Sequence, residues 1–160
     1  MKLLWTRSKN PFDWLILKVT GQDCGHFAFL FETAGGGMVF ESNLLGTHPA
    51  FYKTWMKNRT IVHSKDIPIS LEDENILWDK WVDLYDGQPY DLPGCIYAGL
   101  MIFRLKFFKI QKPKVNAWGS KKAYYCDEVY QLVSGLPGFP FIDESSNGLD
   151  SPHDVWENIK

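Results

Sequence analysis

His26-Phe-Ala-Phe-Leu-Phe31 and, after Thr33-Ala-Gly-Gly-Gly37, Met38-Val-Phe-Glu-Ser-Asn43 decide the fold of this chain. Both runs are rich in residues that favour a pleated, half-buried strand, and the glycine-rich segment between them has hairpin length, so an antiparallel pair is expected. Strand alternation puts His26, Ala28 and Leu30 on one face and Phe27, Phe29 and Phe31 on the other. On the partner, Val39, Glu41 and Asn43 share a face. The glycine run is not a phosphate loop, because no Lys-Ser/Thr follows it and it joins strand to strand.

Working outward, Leu3 to Thr6 reads as a short strand. Asn10-Pro-Phe-Asp13 marks a turn into a helix over Trp14 to Val19 that ends at Gly21. Pro49 to Asn58 reads as a short helix and Thr60 to Ser64 as a third strand. Ser70 is an N-cap, with acidic residues in the first turn of a helix over Leu71 to Tyr85. Leu71, Ile76, Leu77, Trp81 and Leu84 are its expected buried face. Further helices are expected over Ile96 to Phe108, bounded by Asp91-Leu-Pro-Gly94 and Pro113, and over Ala123 to Ser134, closed by Gly135 and Pro137. Gly46 to Pro49 and Pro137 to Asp150 read as loops. Ser151 then caps a final short helix with Pro152 in its first position. Early strands and late helices indicate an α+β domain, an antiparallel sheet packed against helices. No internal repeat or long linker divides the chain, so residues 1–160 form one domain.

The composition narrows the function classes. An 18.5 kDa chain with 45% hydrophobic and 22% charged residues can bury a core and is not a disordered segment. A net charge of -2 supplies no field for nucleic acid. Seven Trp and 16% aromatic residues point to a dense core. Cys24, Cys95 and Cys126 are odd in number and widely spaced, which suits a reducing compartment. The first residues, Met1-Lys-Leu-Leu-Trp-Thr-Arg7, lack a secretory apolar region, so a cytoplasmic location is expected. Leu92 to Phe103 is uncharged but interrupted by Pro93, Gly94 and Gly99, and is too short for a transmembrane segment. The residue pattern calls for no cofactor. Asp23, Cys24 and His26 with His48 or His63 match no standard zinc spacing.

Thiol chemistry is the reading that unites the remaining residues. Tyr124-Tyr-Cys-Asp-Glu-Val-Tyr-Gln-Leu-Val133 has helical periodicity, with Cys126, Val129, Tyr130 and Val133 on one face. A cysteine at a helix start gains thiolate character from unpaired N–H groups, and a nearby imidazole lowers its pKa further. His26 stands at the mouth of its strand, and Glu41 is the nearest carboxylate able to orient the ring and stabilise an imidazolium. Taken singly each residue has a plainer role: buried inert thiol, solvated histidine, surface acid.

The surroundings of these residues resemble a family. Asp23-Cys-Gly-His-Phe-Ala-Phe-Leu-Phe31 resembles the histidine strand of circularly permuted NlpC-type papain-like proteins, the group of YiiX-like proteins and, more distantly, lecithin retinol acyltransferase-like enzymes. Gly37-Met-Val-Phe-Glu-Ser42 is similar to its next strand, V-I-E-A, and Gly87-Gln-Pro-Tyr-Asp91 to its G-x-x-Y-D turn. Tyr125-Cys-Asp-Glu-Val129 resembles its Y-C-S-E-L nucleophile segment, and Ser151-Pro-His-Asp154 its S-P-x-D-L. The resemblance implies Cys126 as nucleophile, His26 as general base and then acid, Glu41 as orienting third group, and Tyr125 as a shaper of the oxyanion site. Cys24-Gly25 departs from the small polar residue before the histidine. Asp127 replaces a serine and sets a negative charge beside the thiol, which opposes thiolate formation unless the carboxylate turns away.

The implied activity is a cysteine peptidase or amidase that forms a thioester with a peptide, amide or ester substrate, bacterial cell-wall peptides being the leading class. An enzyme carried by a phage virion or released by lysis would reach such a substrate without a signal peptide. Two other classes fit the same residues. One is an acyltransferase or lipid-directed hydrolase touching a membrane surface through Arg104-Leu-Lys-Phe-Phe-Lys-Ile-Gln-Lys-Pro-Lys114. The other is a non-catalytic binding module that retains the fold.

Overall fold

A computed structural model of the chain describes residues 1–32, 36–110, 116–119, 123–124 and 152–159. Its strands are β1 (Lys2–Ser8), β2 (His26–Phe31), β3 (Met38–Asn43), β4 (Gly46–Phe51) and β5 (Arg59–Asp66). The helices are α1 (Pro11–Thr20), α2 (Tyr52–Trp55), α3 (Leu71–Tyr85), α4 (Leu92–Phe108) and α5 (Pro152–Ile159), with a 3-10 turn at Met56–Asn58. The strands form one five-stranded sheet in the order β4-β3-β2-β1-β5, and every pairing is antiparallel. The α+β expectation is met.

Alternation along β1, β2 and β3 gives the sheet two unlike faces. Leu3, Trp5, Phe27, Phe29, Phe31 and Phe40 point into the main core against α3, α4 and α5. Phe29 meets Trp81 edge-on with ring centroids 4.3 Å apart, and Phe31 meets Trp78 at 5.0 Å. Such pairs add about 0.5–1.5 kcal/mol each beyond area burial. Leu4, Ala28, Leu30 and Val39 line the opposite face, which among the described residues is packed by Trp55 with Ala50, Tyr52, Met56 and Ile61. That thinner side holds the candidate site.

The departures from the sequence reading have local causes. Gly46–Phe51 is a strand and not a loop running into a helix. Pro49 lies opposite Phe40, and β4 is an edge strand, so the missing proline N–H leaves no gap in the ladder. On α3, Leu71, Ile76 and Leu84 face solvent, and the inward residues are Glu74, Leu77, Trp78, Trp81, Val82 and Tyr85. The aromatic bulk of Trp78 and Trp81 sets the rotation of the helix. Glu74 is accepted inside because its carboxylate meets the Met1 amino group at 2.9 Å and the Glu32 N–H.

Helix α4 begins at Leu92, a turn earlier than the expected Ile96. Pro93 occupies the first turn, where no N–H is needed, and the Asp91 side chain accepts from the Gly94 N–H at 3.0 Å. Gly94 is required there, since a Cβ would sit 2.3 Å from Asp91 Oδ2. Asp91→Ala is expected to cost about 1 kcal/mol by loss of this cap, read as a lower denaturant midpoint at unchanged slope. The expected helix over Ala123 to Ser134 and the loop from Pro137 to Asp150 lie outside the described residues, apart from Ala123 and Tyr124, which are not helical.

Candidate active site

His26 is the first residue of β2 and lies opposite Thr6 of β1. Glu41, on β3, lies opposite His48 of β4. Both side chains emerge on the thinly covered face, where His26 Nε2 is 2.5 Å from Glu41 Oε2. The residues are 7% and 2% exposed. The expected histidine–carboxylate pair is therefore assembled.

Glu41 is the hub of the cluster. Its Oε2 accepts from Trp55 Nε1 at 2.7 Å and from Arg59 Nη2 at 3.0 Å. Its Oε1 accepts from Asn43 Nδ2 at 2.7 Å. Arg59 in turn lies over the Trp55 ring, 4.6 Å from its centroid, and donates from Nη1 to the Trp55 carbonyl. Burial alone would raise the Glu41 pKa. The charge and hydrogen bond of His26, the Arg59 guanidinium and the Trp55 N–H outweigh it and lower the value from 4.5 to about 2. A buried carboxylate is thus kept ionised beside the imidazole.

This arrangement fixes the histidine tautomer. An ionised carboxylate only accepts, so the proton between the two groups rests on Nε2. In its neutral form the ring offers the Nδ1 lone pair as a base, and protonation there gives the imidazolium whose charge helps to hold Glu41 ionised. His48 has a different tautomer. Its Nδ1 lies 3.1 Å from the Gly46 carbonyl and donates to it, which leaves Nε2 as acceptor toward Asn43 Nδ2 at 3.5 Å. His48 Nε2 also lies 3.7 Å from Glu41 Oε1, an ion pair when the imidazole is protonated.

Cys126 and Tyr125 lie outside the described residues, as does Asp127. The approach to them is described. The Tyr124 N–H donates to the Pro89 carbonyl at 3.1 Å, and its carbonyl accepts from Ser42 Oγ. Ser42 is the neighbour of Glu41 on β3, on the opposite face of the strand. The ladder between β2 and β3 holds only Phe29↔Phe40, Leu30↔Val39 and Phe31↔Met38. Both strands run on beyond it, to His26 and to Asn43, so the sheet forks at the end where His26, Glu41 and Tyr124 gather.

The alternative ligand set is not brought together. His63 Nε2 pairs with Asp23 Oδ2 at 2.8 Å on the other face, where the imidazole stacks on Trp156 at 4.5 Å, while His26 and His48 belong to the Glu41 cluster. Cys24 is fully buried in the main core. Among the described residues no group of three His, Cys, Asp or Glu side chains converges to hold a metal ion.

Sequence reading found His26 and Glu41 and missed their supports. Neither Trp55 nor Arg59 is singled out by any local pattern of the sequence. Only the turn through α2, which folds them back over β3, reveals them as donors to Glu41. Asn43 was within reach, since it stands two residues from Glu41 on one strand face. A scan against protein-family models, a search of curated proteins and a search of solved structures each return no match.

Proposed function

We propose that the chain is a thiol-dependent amide hydrolase, a cysteine peptidase or amidase of the circularly permuted NlpC-type papain-like class. Cys126 is its nucleophile, His26 its general base and Glu41 the group that orients the histidine. The observation that carries this reading is the contact of His26 Nε2 with an ionised, buried Glu41, which reserves Nδ1 for a substrate-side proton. Cys126 follows Tyr124 by two residues, and two residues of extended chain reach at most about 7 Å. The bond of Ser42 Oγ to the Tyr124 carbonyl, two residues before Cys126, is the described contact that supports a nucleophile segment within reach of this cluster.

In this mechanism His26 Nδ1 takes the thiol proton, and the Cys126 thiolate attacks the carbonyl carbon of an amide or ester. Backbone N–H groups at the start of the nucleophile segment, beside Tyr125, stabilise the oxyanion. The imidazolium returns its proton to the leaving amine or alcohol as the thioester forms. Water, deprotonated by the same imidazole, releases the acid and restores the thiol. Cell-wall peptides are the proposed substrate class. The test is digestion of peptidoglycan stem peptides followed by mass spectrometry. Cleavage by the wild type that Cys126→Ala abolishes is expected. Cleavage that persists in Cys126→Ala contradicts the reading.

A further inference from the structure

Helix α4 is apolar on two opposite sides. Gly94 and Ala98 are buried, and Met101 packs against the core. Leu92, Ile96, Leu100 and Phe107 are nevertheless 40%, 46%, 45% and 59% exposed. Their spacings of four, four and seven residues align them along one line of the helix, facing away from the core. A helix that is apolar all round belongs in an apolar environment, and a continuous outward stripe marks a surface that meets a partner.

The charge pattern says what kind of partner. From Leu92 to Cys126 the sequence holds seven Lys and Arg residues and no Asp or Glu, although the whole chain is at -2. Lys106 is engaged internally, donating to the Thr20 carbonyl at 3.1 Å. Arg104 and Lys109 are exposed at the end of the stripe. Two copies of this face laid together would bring cations to cations, Arg104 and Lys109 on each, whereas an anionic surface complements both the stripe and the cations.

We propose that the outer face of α4 rests on an anionic lipid bilayer. The helix lies along the surface, with Leu92, Ile96, Leu100 and Phe107 among the acyl chains and Arg104 and Lys109 against headgroup phosphates. Lying flat agrees with its length. Its 17 residues span roughly 26 Å, and among the described residues no helix is long and apolar enough to cross a membrane. The inference stands apart from the hydrolase reading, because it uses none of the catalytic residues.

The test is sedimentation of the full chain with phosphatidylcholine vesicles carrying about one third phosphatidylserine, against pure phosphatidylcholine, in low and high salt. Binding to the anionic vesicles is expected. It should weaken at least about tenfold in high salt and at least about tenfold in the Leu100→Asp, Phe107→Asp double variant. Because both positions are exposed, the variant should keep the wild-type circular dichroism spectrum. Arg104→Glu with Lys109→Glu keeps the apolar stripe and should remove the preference for the anionic vesicles. No binding of the wild type to those vesicles overturns the proposal, and so does unchanged binding by the double variant. A solution dimer that Leu100→Asp dissociates overturns it too, by assigning the face to a second copy.

Discussion

Glu41→Ala is expected to destabilise the protein by about 3–5 kcal/mol, the range found when one partner of a buried charge cluster is removed. Glu41 is 2% exposed and accepts from His26, Asn43, Trp55 and Arg59. Alanine would leave the buried Trp55 indole N–H and the part-buried Arg59 Nη2 and Asn43 amide without this acceptor. Glu41→Gln retains an oxygen acceptor but turns an NH2 toward the same donors, so an intermediate loss is expected. The pH dependence follows from the depressed pKa. Glu41 falls from 4.5 to about 2 on folding, so its contribution is fully present above about pH 4.5 and is lost as pH falls toward about 2. The span is on the order of 3 kcal/mol. Denaturant unfolding of the wild type and Glu41→Gln at neutral pH and at pH values within that window measures both effects. A wild-type midpoint in Glu41→Ala would remove Glu41 from the hub position.

On the proposed function, His26→Ala is expected to lower amide hydrolysis by at least about 1,000-fold, the scale of losing a positioned general base together with the ion pair it would form with the thiolate. The loss of stability should be small beside that of Glu41→Ala. Trp55, Arg59 and Asn43 still satisfy the carboxylate when the imidazole is gone. The two variants thus separate the proposed chemistry of the cluster from its scaffolding: on this proposal His26 acts on the substrate and Glu41 holds it in place. Activity and unfolding midpoint measured on the same preparations give the contrast. A collapse of stability in His26→Ala, with activity falling only in proportion to the folded fraction, would make the histidine a structural partner.

Which parts of this molecule were legible in its sequence follows from the kind of physics each part depends on. The β2–β3 pair and the faces of His26 and Glu41 rest on a period of two and a short glycine-rich connection, both visible in the residues. Helix α3 was placed from Leu71 to Tyr85 by its Ser70 cap, but its rotation was misread, since which side faces inward depends on Phe29, Phe31 and Phe40 of the sheet. Strand β4 was hidden by Pro49, which reads as a breaker until the strand is known to lie at an edge. The donors that keep Glu41 ionised lie 14 and 18 residues away in sequence. No local pattern announces them, because they arrive through the turn of α2. The outward stripe of α4 was equally unreadable: Leu92, Ile96 and Leu100 have the spacing of a core face, and only the packed structure shows that Gly94 and Ala98 take that role.

The central claim is that His26 and Glu41 serve Cys126. Its most direct measurement is the rate of iodoacetamide labelling of Cys126 against pH, by peptide mass spectrometry, in the wild type and in His26→Ala. An assembled pair predicts rapid labelling at Cys126 well below pH 7, lost in His26→Ala, where the thiol titrates near about 8.5. Labelling of Cys126 in the wild type that follows an ordinary thiol, unchanged by His26→Ala, would contradict the account.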